Sequence, residues 1–333
     1  MTRPSPTRRT LIHSAGLAGL AGLTGLGALA PARAAGATWP TQALRLVVPY
    51  PPGGSSDIIA RAIAQPLSEA LKQPVVIENK PGANGNTGAD LVAKSRDDHT
   101  LLLCDVGALA VSPSVYKRMP FDPSRDLQGV TMLAYSPHLL VVHPSVKANS
   151  LKELVELSRR EPLNFAVTAM GSAPHVAGVA VAQATGAQWQ YIPYKGGAQA
   201  ISDTIAGQTQ VLMNGMLATL PHVQSGKLKL LGVSKSTRMP LVNQVPTLAE
   251  QGVKDFESGT WQGLLAPAGF PAEALKTLSA EVVRIIRSPA IRAQLVGQGA
   301  EVRTMSPVEF SRFFAQQRQL WAGVVDKGGI RAD

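Results

Sequence analysis

The residues best placed to do chemistry sit where strands turn into helices. In "RLVVPYPPGGSSDIIARAIAQPL" (45–67) an apolar, β-branched run meets Pro51-Pro52, which lack the N–H that a sheet ladder needs. Gly53 and Gly54 let a guest approach the main chain. Ser55, Ser56 and Asp57 are helix-start residue types, set ahead of the apolar Ile58, Ile59, Ala62 and Ile63. The N–H groups of such a first turn carry partial positive charge, so the chemistry on offer is anion binding. One loop of this kind, taken alone, reads equally well as a plain capped turn.

Two further stretches repeat the pattern. "NFAVTAMGSAPHVAGVAVAQATG" (164–186) gives a strand, a Gly-Ser turn and a helix opening near Pro174, a residue suited to the first helical position. Ser172 there either caps the helix or bonds a ligand, and His175 falls in its first turn. "ENKPGANGNTGADLVAK" (78–94) adds a glycine turn with Asn84 and Asn86 as donors. Two helix starts facing each other across a cleft would clamp a carboxylate without Arg or Lys. The glycines at 82, 85 and 88 do not have dinucleotide-fingerprint spacing, and no Gly-Lys-Ser/Thr follows a glycine loop, so nucleotide binding is excluded.

Nucleophilic chemistry is the competing reading. Ser55, Ser56 or Ser172 with His175 as base would make a secreted α/β serine hydrolase, although the Gly-x-Ser-x-Gly elbow is absent. The histidines at 13, 99, 138, 143, 175 and 222 lack metal-ligand spacing, so neither a metal nor another cofactor is expected.

The elements that must position these turns alternate along the chain. Strand-like runs at 44–48, 75–78, 100–104, 139–143, 164–168, 189–193, 211–213, 228–234 and 263–267 are interleaved with helical periodicity. The helices fall at 56–72, 86–94, 151–160, 176–185, 198–206, 272–287 and 307–325. Such alternation predicts parallel sheets in an α/β architecture, with ligands beyond the strands' C-terminal ends. Two internal echoes refine it. "VVPYPPGGSSDII" and "YIPYKGGAQAI" both run strand, Pro-Tyr, linker, Gly-Gly, helix. "LLVVHPSVKANSLKELVEL" and "GLLAPAGFPAEALKTL" both run strand, proline, amphipathic helix. Either βα loops simply share Gly and Pro, or two related lobes are joined by a hinge of two crossing strands. The second reading divides the chain into lobe 1, residues 36–138 plus 262–333, and lobe 2, residues 139–261.

Charge and leader narrow the setting. Residues 1–34 read as a twin-arginine signal peptide: Arg8-Arg9, an acid-free Gly/Ala/Leu run, then Ala32-Arg33-Ala34 for cleavage near Ala34. That places the mature protein in the periplasm. Of the 32 Lys+Arg and 22 Asp+Glu, only Arg3, Arg8, Arg9 and Arg33 fall in this leader, so the remainder stays moderately basic. Basic residues are dispersed without aromatic interleaving, which argues against nucleic acid and for small anions. Cys104 is alone, and Leu101-Leu102-Leu103 before it point to a buried thiol.

Several stretches carry a family likeness: "PYPPGGSSDIIAR", "PVVIENKPGANGNTGADLVAK", "GSAPHVAG", "PYKGGAQAISDTIAGQ", "LPHVQSGKLKLLGVS", "VPTLAEQG" and "WQGLLAPAGFP". On them the chain, over about 42–330, resembles the tripartite tricarboxylate transporter receptor family, also called the Bug family of periplasmic solute-binding proteins. The resemblance implies a type II, two-lobed periplasmic binding protein fold that closes on a small organic carboxylate without altering it. It implies a monomer working with tripartite membrane carrier components or a sensor. The ligand-binding positions carried over are Tyr50, Pro52, Gly53, Gly54, Ser55, Ser56 and Asp57 in the first loop. Asp105 and Gly107 follow the third strand, and Met170, Gly171, Ser172, Ala173 and His175 lie in the second-lobe loop. Tyr194, Lys195 and Asn214 complete the set. Where many relatives show Gly-Asn this chain has Ala169-Met170, and where many show Asp it has Asn214. Without that carboxylate a ligand ammonium would be costly to bury, and Met170 would add an apolar wall. The expected guest is therefore a non-amino carboxylate, with an aromatic body in view.

Overall fold

The computed structural model describes residues 39–331. The leader reading of residues 1–34 falls outside the described residues. From β1 (Leu44–Val48) the chain passes through α1 (Ser55–Leu71), β2 (Val75–Asn79), α2 (Asn86–Ala93) and β3 (Thr100–Asp105). Short helices α3 (Ser112–Val115) and α4 (Pro123–Asp126) lead into the long β4 (Leu127–Val142). There follow α5 (Leu151–Ser158), β5 (Asn164–Val167), α6 (Ala173–Thr185), β6 (Gln190–Pro193), α7 (Gly197–Ile205), β7 (Val211–Gly215), α8 (Met216–Gln224) and β8 (Lys229–Val233). The chain ends with β9 (Gly259–Pro267), α9 (Ala272–Ile286), α10 (Pro289–Gly297), β10 (Glu301–Val302) and α11 (Pro307–Gly328).

The strands pair in the order β2-β1-β3-β9-β4-β7-β5-β6, with β8 and β10 also on β4. β4 is the pivot of the two-lobed architecture. From Leu127 to Pro137 it pairs antiparallel with β9, and from His138 to Val142 with β7 and β8. β4 and β9 run side by side up to the switch, where His138 N bonds Ser258 O just before β9 begins, and the echoing stretches lie at opposite ends of this pairing, 139–142 on β7 and β8 and 263–267 on 127–132. The sheet is mixed, which departs from the expected parallel sheets. β1, β2 and β3 are mutually parallel, as are β5, β6 and β7, but β9 runs antiparallel to β3 and β4. Ser136-Pro137 reads as a break ahead of 139–143, so the strand character of the first part of β4 was hidden in a 16-residue run that switches partners midway.

Each half has apolar layers on both faces. The i, i+4 series Ile59, Ile63, Leu67 of α1 packs on β1 and β3 with Leu278, Val282, Ile285 and Ile286 of α9. On the other face α11 brings Phe310, Phe314 and Trp321 against Trp261 of β9. Each aliphatic or phenyl side chain among these that is fully buried contributes about 1.5–3 kcal/mol. In the second half α5 and α6 cover one face of the sheet and α7 and α8 the other. Cys104 lies in the first half's core, fully buried. Layers on both faces leave the strands' C-terminal ends as the open edge, and the turns singled out above emerge there.

Candidate functional site

Those turns converge on one cavity of about 40 Å³ between the two halves. A single water needs roughly 10–15 Å³ on this scale, so the space suits a few waters or a compact polar group.

The first wall is the mouth of α1. Its N-cap is Gly54, extended at φ −79° and ψ 168°, and no side chain caps it. The first helical bond, from Ile58 N to Gly54 O, leaves the first-turn amides without an intrahelical acceptor. Gly54, Ser55 and Ser56 line the cavity. Ser56 is 3% exposed, and its Oγ has no partner among the described residues. Asp57 faces the other way. Its carboxylate accepts from Gly53 N (2.9 Å), Arg61 Nε (2.8 Å) and Asn79 Nδ2 (3.0 Å). Burial alone would raise its pKa, but these bonds outweigh it and hold the carboxyl below the ordinary value. Asp57 therefore braces the turn, and Pro52 and Gly53 lie on its exposed outer rim.

The opposing wall is the mouth of α7, which opens at Gly196, again with no side-chain cap, and puts Gly196 and Gly197 on the cavity. The two mouths that face each other are thus the two halves of the "PYPPGG" and "PYKGG" echo. They touch: a Cβ on Gly196 would stand 2.6 Å from Cδ of Pro51.

The mouth of α6, expected to be the second jaw, is differently built. Ser172 caps it, accepting from His175 N (3.3 Å) while donating to Ala169 O (2.8 Å), so its hydroxyl is consumed. Pro174 has no N–H to give, which leaves the main chain of Ala173 at the cavity. His175 is a packing residue. Its Nδ1 accepts from Gly171 N (3.0 Å), its ring meets Tyr191 edge-on at 4.7 Å, and burial lowers its pKa to about 4. With Ser172 and His175 committed elsewhere, no serine–histidine relay forms here. Gly171 adopts φ +70°, and a Cβ there would lie 2.4 Å from Val115, so only glycine passes this crossing.

The floor comes from strand ends. Asn214 and Gly215 end β7, with Asn214 Nδ2 donating to Thr219 Oγ1 (3.2 Å). Thr260 enters from β9, its Oγ1 2.9 Å from Nε2 of His138, a fully buried ring whose pKa burial lowers to about 3. Tyr50, Asp105 and Gly107 close the first-half side: Tyr50 donates to Asp105 Oδ1 at 2.6 Å, and Gly107 N to the same oxygen at 2.8 Å. Burial pushes Asp105 up to about 6 despite these bonds, and raises the Tyr50 hydroxyl as well. Asn84 bridges the halves, its Nδ2 donating to Ser112 Oγ (3.1 Å) and across to Gly171 O (3.3 Å).

Of the positions expected to hold ligand, Tyr50, Gly54, Ser55, Ser56, Asp105, Gly107, Ser172, Ala173 and Asn214 line the cavity. Pro52, Gly53, Asp57, Met170, Gly171, His175, Tyr194 and Lys195 do not. Met170 packs on the second half's own core and is not among the residues that line the cavity. Lys195 is exposed, while Tyr194 packs on the α7–α8 layer. Asn84 and Gly196 line the cavity and stood in the glycine turns, whereas Thr168, Gly215 and Thr260 also line it from outside those turns. Among the described residues no group of three or more His, Cys, Asp or Glu could hold a metal, and no helix is long and apolar enough to cross a membrane.

Residues 59–330 match the tripartite tricarboxylate transporter family receptor. Protein BugT of Bordetella pertussis is 36% identical over 298 residues, covering 88% of this chain and 91% of its own. The structure of R. palustris Rpa4515 with adipate superposes with a TM-score of 0.85 at 33% identity, over 88% of this chain and 99% of that one. The periplasmic binding protein BugD gives 0.84 at 30% identity, over 88% and 99%.

Proposed function

From the premise that the chain belongs to the tripartite tricarboxylate transporter receptor family, we propose that it captures a small carboxylate between two uncapped helix mouths and hands it on unchanged. The observation that carries this reading is the opposition of α1 and α7 across the cavity, each mouth without a side-chain cap. A carboxylate placed there accepts from main-chain N–H groups and the Ser56 hydroxyl, with ordered water filling the remainder. Among the described residues no Arg or Lys lines the cavity, so helix-end partial charges supply the attraction.

The guest in this reading carries no ammonium group: the β7 position at the cavity is the neutral Asn214, so that strand offers an ammonium no charged partner. The protein works in the periplasm, as BugD does by its description, after export by the leader at 1–34. It acts as a monomer that delivers to a tripartite membrane carrier or a sensor. The lobe division at 36–138 plus 262–333 and 139–261 is supported by the change of β4's partners at Pro137/His138.

A thermal-shift panel of adipate, malate, benzoate, glutamate and aspartate tests this. A binding non-amino carboxylate at 100 times its Kd stabilises by about 2.7 kcal/mol. Stabilisation by glutamate or aspartate alone refutes the non-amino assignment. Steady hydrolysis of a simple ester that a serine-directed reagent stops would restore the hydrolase reading.

A further inference from the structure

The cavity sets an electrostatic problem. Among the described residues Asp105 is the one lining residue with a formal charge at neutral pH, it is negative, and no cation answers it. Its Oδ1 accepts from the Tyr50 hydroxyl and from Gly107 N. The turn after β2 presents the neutral Asn84 amide, within 3.5 Å of the place where a Gly107 Cβ would stand, as Asp105 Oδ1 also is. The adjacent Cys104 thiol is pushed up by burial and stays protonated. Across the sheet β9 presents Gln262, and the opposite half presents Ser172, Asn214 and the glycines of α7, all uncharged. Arg61, the cation of the nearby α1, is bound to Asp57.

Asp105 is only partly shielded, and the space it opens to is this cavity. Two carboxylates sharing one low-dielectric site cannot both stay ionised cheaply, so one takes a proton. The residue beside Asp105 is built for that state. Gln262, its antiparallel pair partner, is fully buried, and both Oε1 and Nε2 lack partners among the described residues. Paired residues share a sheet face with Cβ atoms about 4.5–5.5 Å apart. A protonated Asp105 therefore has an acceptor in Gln262 Oε1 or in the guest's own oxygen.

We propose that Asp105 is a proton site coupled to the ligand site, so that the protein takes up one proton from solvent on Asp105 as it takes up one carboxylate. This rests on the carboxylate-receptor reading above. Burial already holds Asp105 near pH 6 with no anion beside it, and a bound carboxylate raises it further. Binding therefore draws a proton across the neutral range. The same geometry offers a contrasting arrangement, in which a ligand ammonium pairs with an ionised Asp105 and no proton is absorbed.

Isothermal titration of the wild-type protein with adipate, malate, benzoate and glutamate, in buffers of low and high ionisation enthalpy from pH 6.5 to 8.0, separates these. The expected result is uptake rising toward one proton per carboxylate. Affinity should fall by up to about tenfold per pH unit above Asp105's own pKa. Asp105→Asn, which keeps an acceptor for Tyr50 and Gly107, should bind the same carboxylate with no proton uptake and a flat pH profile. Binding without proton uptake in the wild type overturns the proposal, as does equal uptake in Asp105→Asn. Tight binding of glutamate alone, lost in Asp105→Asn, overturns it in favour of the ammonium pairing. Failure of every carboxylate to bind at any pH would instead sink the receptor reading itself.

Discussion

Gly196→Ala isolates closure from folding. Gly196 has φ 161° and ψ 172°, extended backbone that any residue adopts, so alanine brings no conformational strain. What it brings is a methyl group 2.6 Å from Cδ and 3.3 Å from Cγ of Pro51, in the opposing loop. Carbon atoms rest about 3.5–4.0 Å apart, so the two mouths must separate by about 1 Å. Overpacking of this size costs about 1–3 kcal/mol where the surroundings cannot yield. Here the penalty falls on the closed form, because a hinged molecule relieves it by opening. The expected outcome is a 5–150-fold loss of carboxylate affinity, read by isothermal titration. The melting temperature of the ligand-free variant should stay within about 1 °C of wild type if its resting state is open. A variant that binds normally would show that the α1 and α7 mouths do not need to meet. One that melts several degrees lower without ligand would show that their contact supports the fold.

The serines should separate by role. Ser172→Ala removes the α6 cap and should cost about 1 kcal/mol in urea unfolding, while Ser56→Ala removes an unpartnered hydroxyl, leaving stability nearly unchanged and lowering affinity severalfold. Acid should destabilise the protein through its buried imidazoles. His138 and His175, held near 3 and 4 against about 6.5 unfolded, contribute stability that is whole above pH 6.5 and drains away as pH falls. By pH 5 each has lost about 2 kcal/mol. Asp105 runs the other way: raised to about 6, it returns roughly 1 kcal/mol over the same range. Urea melts at pH 7 and 5 should therefore differ by 2–3 kcal/mol in favour of pH 7, and equal midpoints would show that the imidazoles are not buried neutral.

Much of the architecture was readable because punctuation in the chain is strong. Pro51-Pro52-Gly53-Gly54 and Lys195-Gly196-Gly197 mark strand-to-helix turns with residues that have few other uses; their echo was readable as a sign of related lobes, and only the structure shows these two mouths opposed. The mouth of α6 also lies on the cavity, but its serine is spent as a cap. A serine before a proline-opened helix reads as cap or ligand donor alike, and only the bond from His175 N distinguishes them. Helices α8 and α10 went unread because Pro221 interrupts one and the other is short with a weak apolar face. Thr260 and Gln262 sit inside an apolar strand where no spacing advertises them. Their neighbours across the sheet, Ser136 for one and Asp105 for the other, come from segments far away in sequence.

The central claim is that main-chain amides of two opposed helix mouths grip the guest. A crystal structure of the protein with adipate tests it most directly. A carboxylate within hydrogen-bonding distance of the Ser55–Ser56 amides and of Gly197, directly or through one water, is the expected result. A carboxylate seated on a surface Lys or Arg, with the α1 and α7 mouths left apart and empty, would contradict it.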